Sequence, residues 1–169
     1  MSAHNSEGGE EQVVACQLSN ELFAISIERI NTIIRMQPIT RVPGCGDYVE
    51  GVTNLRGSIL PVIDLRKKFS LPMRDVTRAS RIVVVEAHGQ TVGLMVDAVT
   101  ETVRLSAADI EPPSGTIARA QASCVWGIGK AGDKLLVLLD LDRLLSRREL
   151  AEAVAAAVSA GEEPLQPAA

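Results

Sequence analysis

The chain repeats itself, and the repeat limits what it can fold into. The segment VEGVTNLRGSILPVIDLRKKF (49–69) matches VWGIGKAGDKLLVLLDLDRLL (125–145) at a constant offset of 76 residues. Gly51 meets Gly127, Leu60 meets Leu136, and Asp64-Leu65 meets Asp140-Leu141. Upstream, NELFAISIERINTIIR (20–35) matches GQTVGLMVDAVTETVR (89–104) at an offset of 69, and VVACQLS (13–19) matches IVVVEAH (82–88). The order is the same in both copies, and the change of offset falls in the loop between the matches. Two copies of one unit, each of roughly 60 residues, account for all three.

One unit reads as short strands closed by a helix. RIVVVEA is a strand, HGQ a turn and TVGLMV a strand that stops at Asp97. AVTETVRL alternates apolar and polar residues. SAADIEPPSG is a loop with a Ser-x-x-Asp start, and CVWGIG and KLLVLLD flank a hairpin turn at KAGD. DLDRLLS opens a short helix with Asp140 as N-cap, and Asp64 holds the same place in the first copy. Units of this size with mostly antiparallel strands close into small barrels. The expected fold is mainly β: two five-stranded barrel subdomains packed together, with short helices. Subdomain 1 is expected at about 12–79 and subdomain 2 at about 80–145, after a disordered tail at 1–11. Residues 147–160 read as a helix within a C-terminal segment, 146–169, whose end frays. Val154 and Val158 are its expected docking residues.

Composition narrows the function. Hydrophobic residues make up 46% but aromatics only 2%, so the core must be aliphatic. A net charge of −4 and scattered basic residues argue against a nucleic-acid binder. The basic triplet Arg66-Lys67-Lys68 reads as a solvated helix end. The polar, acidic N-terminus is neither a signal nor a transit peptide, and no apolar run approaches the ~20 residues that span a bilayer. Cys16, Cys45 and Cys124 show no metal spacing and suit a reduced cytoplasmic compartment, with Cys16 a buried small hydrophobe. His4 falls in the tail and His88 in a turn, so no histidine-based catalytic or metal site is expected. GIGKAG (127–132) matches a dinucleotide fingerprint, but a strand follows it where a helix is required. Asp64 and Asp140 are read as structural caps rather than a catalytic pair. No cofactor and no enzymatic activity are expected.

The copies differ at one hairpin tip. Arg56 stands where the second copy has Gly132, Asn54 where it has Lys130, and Pro61 where it has Val137. The repeat therefore does not need this arginine to fold. Pro61 lacks a ladder donor and is read as marking an edge or a bulge. An arginine on a rigid turn beside an edge is placed to contact another protein.

EGVTNLRGSILPVIDLRKKF resembles the central signature of the CheW family of chemotaxis coupling proteins. GLMVDAVTETVRLSAADIEPP and VWGIGKAGDKLLVLLDLDRLL resemble its later segments in the same order, so the similarity covers about residues 12–145. The resemblance implies two SH3-like β-barrels and a non-enzymatic adaptor. The implied partners are the cytoplasmic tip of methyl-accepting chemoreceptors and the CheW-like regulatory domain of a CheA-type histidine kinase. It implies a cytoplasmic location at receptor arrays, with no direct membrane insertion. Arg56 corresponds to the arginine of the family's NLRG motif at the receptor groove. Gly51, Asn54 and Gly57 belong to the same stretch. Ile30 falls at an apolar position facing the receptor, with Val96 and Val99 as further candidates. Arg81 departs from the apolar residue common in the family at that strand start. Two other readings stand beside this one: an adaptor of a non-flagellar system serving pili or surface signalling, and a small-ligand-binding β-barrel protein using the inter-barrel cleft.

Overall fold

The computed structural model describes residues 10–43, 46–113 and 123–159, with side chains given as far as Ala155. Strands β1 (Glu11–Leu18), β2 (Glu21–Ser26), β3 (Ile30–Arg35), β4 (Val49–Leu55) and β5 (Ser58–Asp64) lead into helix α1 (Leu65–Lys68). Then come β6 (Arg81–Ala87), β7 (Gln90–Val96), β8 (Ala98–Leu105), β9 (Ile110–Glu111), β10 (Val125–Ala131) and β11 (Lys134–Leu139). Helix α2 (Leu141–Leu144) and helix α3 (Arg147–Ser159) follow. The chain is mainly β, in two barrel-like sheets, as the sequence led us to expect. One sheet has the order β8-β1-β2-β11-β10-β9 and the other β3-β6-β7-β5-β4.

The repeat is visible in the bonding. Moved by 76 residues, β4 and α1 land on β10 and α2. The β4–β5 ladder slips between Val49 and Gly51, and the β10–β11 ladder slips between Val125 and Gly127. The parallel pair Val62–Gly93 has its counterpart in Leu138–Ala24. The Asp64 N–H donates to the Tyr48 carbonyl and the Asp140 N–H to that of Cys124, both at 2.8 Å. Each aspartate caps its helix, accepting from the N–H of Arg66 or Asp142.

The division between sheets is not the division between repeats. Strands β1 and β2 lie in the sheet of the second copy, and β6 and β7 lie in the sheet of the first. The reason is linker length. In the five-stranded sheet, β3 runs antiparallel to β6, and β6 antiparallel to β7, so β3 runs parallel to β7. If β1–β2 took the place of β6–β7, then β2 would lie parallel to β3. Such a connection needs a dozen or more residues. Only the 3-10 turn Ile27–Arg29 separates β2 from β3, and only Asp97 separates β7 from β8. Each copy must therefore pass its second half to the other sheet.

This exchange sets the cores. Val14, Cys16 and Leu18 of β1 and Val83 and Val85 of β6 enter a main core between the sheets. Their neighbours Val13 and Ala15 enter one smaller core, and Ile82 and Val84 another. Strands buried on both faces read as unbroken apolar runs, which is why VVAC and IVVV do not alternate.

Three expectations need correction. Pro61 does not mark an edge, because β5 lies between β7 and β4. It sits opposite Val52, whose N–H and C=O both turn away to Thr40, so no β4–β5 bond is lost. The basic triplet is not solvated. Arg66 is buried and ion-paired with Asp97, Lys67 pairs with Glu50, and Lys68 pairs with Glu149 while lying over the Tyr48 ring. Helix α3 docks through Leu150 and Ala153, three apart on one face, and Val154 is only half-buried. The Val158 side chain is outside the described residues.

Glu149 anchors this helix. Its carboxylate accepts from the Ser146 N–H, and the Ser146 hydroxyl accepts from the Glu149 N–H, a capping box spelled SRRE in the sequence. Burial raises the Glu149 carboxyl, but hydrogen bonds from Lys68, Tyr48 and Ser146 outweigh it and hold the group down to about 2. A carboxyl depressed in the fold stabilises it above the ordinary value of 4.5 and ceases to as pH falls toward about 2. Chemical denaturation should therefore show the wild type more stable than Glu149→Gln at about pH 6, with the gap closing by about pH 2. Asp140→Ala should cost about 0.5–2 kcal/mol in the same assay, as the loss of a helix cap does.

Candidate functional site

The β4–β5 tip is the place where the two copies part company. Leu55 pairs with Ser58, leaving Arg56 and Gly57 as a two-residue loop. Both have positive φ, 54° and 84°, the geometry that matches the twist of a hairpin. The Asn54 side chain accepts from the Gly57 N–H at 2.8 Å and fixes the loop from below. At the equivalent point Gly132 has φ 61°. A side chain in this left-handed region costs roughly 1–2 kcal/mol, a penalty that glycine escapes. Arg56 therefore occupies a position that the fold fills more cheaply with glycine. Its side chain is exposed and makes no hydrogen bond or ion pair among the described residues.

Gly51 has a supporting role. It is buried with φ 151°, and a Cβ there would run into the Thr40 carbonyl. Its absence lets Thr40 bridge to Val52 through two bonds of 2.8 Å, closing the 38–43 segment against β4.

The apolar candidates separate by depth. Ile30, at the start of β3, is half-buried against the main core. Val99, its repeat equivalent on β8, is placed likewise. Both belong to edge strands. Val96 is only 3% exposed and lies inside the main core, out of reach of a partner. Sequence reasoning missed Ile27 and Ile33, which are 39% and 37% exposed. The signal was in INTIIR: consecutive isoleucines on one strand point to opposite faces, and Ile34 takes the inner one.

The tip and this corner share one end of the five-stranded sheet. Continued along β5, the parallel register of Val62 with Gly93 puts Ser58 level with Gly89. The adjoining corner is fixed there by Arg29, which donates to the Glu86 carbonyl at 3.0 and 3.1 Å.

Among the described residues no group of three His, Cys, Asp or Glu could hold a metal ion. Burial pushes the Cys16 thiol up to about 12. Burial likewise raises the Cys124 thiol to about 11, against the pull of Lys68. Neither is a thiolate at neutral pH. Cys45 and His4 lie outside the described residues. His88 is spent on structure: its Nε2 lies 2.7 and 2.8 Å from the carbonyls of Asp142 and Leu145, so that nitrogen carries the proton. Among the described residues no helix is long and apolar enough to cross a membrane.

Comparison with known proteins agrees with the mainly β, two-sheet fold. The model of the CheW-like domain matches residues 12–149. The chain belongs to the CheW family. It is 34% identical to the chemotaxis protein CheW of Klebsiella aerogenes over 134 residues, covering 79% of this chain and 81% of that one. It is 35% identical to the chemotaxis protein CheW of Helicobacter pylori, covering 83% and 86%. The crystal structure of the scaffolding protein TtCheW from Thermoanaerobacter tengcongensis superposes with a TM-score of 0.75 at 35% identity, covering 82% of this chain and 94% of that one.

In this CheW-family chain the cost of Arg56 is open to test. Arg56→Gly removes the left-handed penalty of roughly 1–2 kcal/mol but adds about 0.4–1 kcal/mol of unfolded-state entropy. The melting temperature should hold or rise by a few degrees. A fall would show that the arginine supports the fold.

Proposed function

We propose that the chain is a non-enzymatic signalling adaptor that couples methyl-accepting chemoreceptors to a CheA-type histidine kinase in cytoplasmic arrays. The observation that carries this is Arg56: an exposed guanidinium, unpaired among the described residues, on a braced tip at a backbone position where the sister copy has glycine. A receptor's helical tip would lay its apolar side chains along Ile30 and the exposed Ile33, a helix-in-groove mode. Val99 extends that surface from the other edge strand. Arg56 would orient the tip through charge-assisted hydrogen bonds, with Asn54, Gly57 and Gly51 fixing the loop beneath it. Coupling then comes from holding receptor and kinase together, so that weak contacts add up in an array.

The test is a paired capture from cell lysate with wild type and Arg56→Glu as baits, read by mass spectrometry. Wild type should recover a histidine kinase and chemoreceptors. Arg56→Glu should keep its circular dichroism spectrum and lose the receptors at least tenfold. Recovery of neither partner by the wild type would overturn the adaptor reading, and an unfolded Arg56→Glu would make the arginine structural.

A further inference from the structure

At the end of the five-stranded sheet away from Arg56 lies a second exposed surface. Residues 72–79 join α1 to β6, and every one of them is exposed. The loop is nevertheless fastened from within. Buried Arg66 donates to the Arg74 carbonyl at 2.7 Å. The Thr77 N–H donates to the Ser80 hydroxyl at 2.9 Å, and Arg81 donates to the carbonyls of Arg78 and Ser80 at 2.7 and 2.8 Å. The scaffold thus holds in place a loop whose residues 72–79 are all exposed. What it presents is apolar and basic: Met73 and Val76 are 60% and 55% exposed, with Arg74 and Arg78 between and beside them.

The charge there is unbalanced. Arg35 stands directly across the β3–β6 ladder from Arg81, a like-charge pair that destabilises a sheet. Arg35, Arg74 and Arg78 have no hydrogen-bonded or ionic side-chain partner among the described residues. Arg35, Arg74, Arg78 and Arg81 stand here against Asp75 and, beside Met73, Asp47, while the nearby Asp64, Asp97 and Glu50 are engaged by the α1 cap, Arg66 and Lys67, on a chain whose net charge is −4. A positive face on an acidic protein attracts an anionic partner. Met73 and Val76 mark that partner as protein. Nucleic acid would call for stacking aromatics, and the loop has none.

We infer that Met73, Arg74, Val76 and Arg78, with Arg35 and Arg81 beside them, form a docking surface for an acidic, amphipathic segment of a partner protein. The segment's carboxylates engage the guanidinium groups, and its apolar residues cover Met73 and Val76. Strand β5 separates this surface from the Arg56 tip by about 20 Å, at roughly 3.3 Å per residue. Two partners can therefore bind at opposite ends of one sheet without touching.

Peptide display on the whole chain tests this. Peptides are selected on wild type and counter-selected on Arg74→Glu/Arg78→Glu, whose exposed side chains make no hydrogen bond or ion pair among the described residues. The enriched peptides should combine Asp or Glu with Leu, Ile or Phe. The most enriched one, added to labelled protein, should shift the amide signals of residues 72–81 and Arg35. Its affinity should fall at least tenfold in Arg74→Glu/Arg78→Glu and in Met73→Ser/Val76→Ser, and stay unchanged in Arg56→Glu. No acidic enrichment, shifts centred elsewhere, or equal affinity for the variants would each overturn the assignment. So would equally tight, competing binding of a single-stranded oligonucleotide.

Discussion

Two short crossings join the sheets, and an ion pair locks each. At Asp97 the chain leaves the five-stranded sheet. The Asp97 carboxylate pairs with buried Arg66 of α1 and accepts from the Ser19 N–H at 2.7 Å. At Ile27–Arg29 the chain arrives from the other sheet. Arg29 pairs with Asp142 of α2 at 2.6 Å, and Asp142 accepts from the His88 N–H at 3.0 Å. Under the repeat, Ser19 answers to His88 and Arg66 to Asp142. A three-part clamp therefore appears at each crossing, with the carboxylate on the crossing in one and on the helix in the other, although the crossing partners are offset by one residue, Asp97 answering to Glu28. The pairs differ in weight. Arg66 and Asp97 are mostly shielded, and stripping one partner from such a pair costs about 3–5 kcal/mol. Arg29 and Asp142 are about a third exposed, so water screens much of their attraction.

Much of the fold was legible because repetition exposes what matters locally. The helix caps at Asp64 and Asp140, the turn after Ala87 and the end of β7 at Asp97 all depend on nearby residues. The exchange of hairpins was not legible as an apolar pattern. Strands buried on both faces show no period, and nothing in VVAC names its neighbour. It was implicit in a length, the three residues between β2 and β3. Arg66 misled because its partner, Asp97, is 31 residues away in the chain. Pro61 misled because edge strands are not the only places without a ladder donor; the point where a ladder starts is another, and β5 pairs with β7 only from Val62 on.

The candidate site was legible only as a difference. Symmetric scaffolding explains why Gly51 and Gly127 agree, and it cannot explain why Arg56 and Gly132 do not. The structure adds the backbone angle that turns this difference into a cost. It also separates Val96, which fills the core, from Ile30 and Val99, which border it. Ile33 escaped notice because a single sequence does not say which of two adjacent isoleucines lies under cover.

The reciprocal exchange also bears on origins. A lone unit could not complete either sheet, since its own first hairpin cannot turn back beside its third strand. A free-standing ancestor would have existed as an obligate pair of chains, each lending a hairpin to the other. Symmetry would then have forced both clamps to carry the same charges in the same places. Only after the two copies were fused into one gene could the helix member of one clamp be an arginine and that of the other an aspartate, and only then could one tip acquire an arginine while the other kept its glycine.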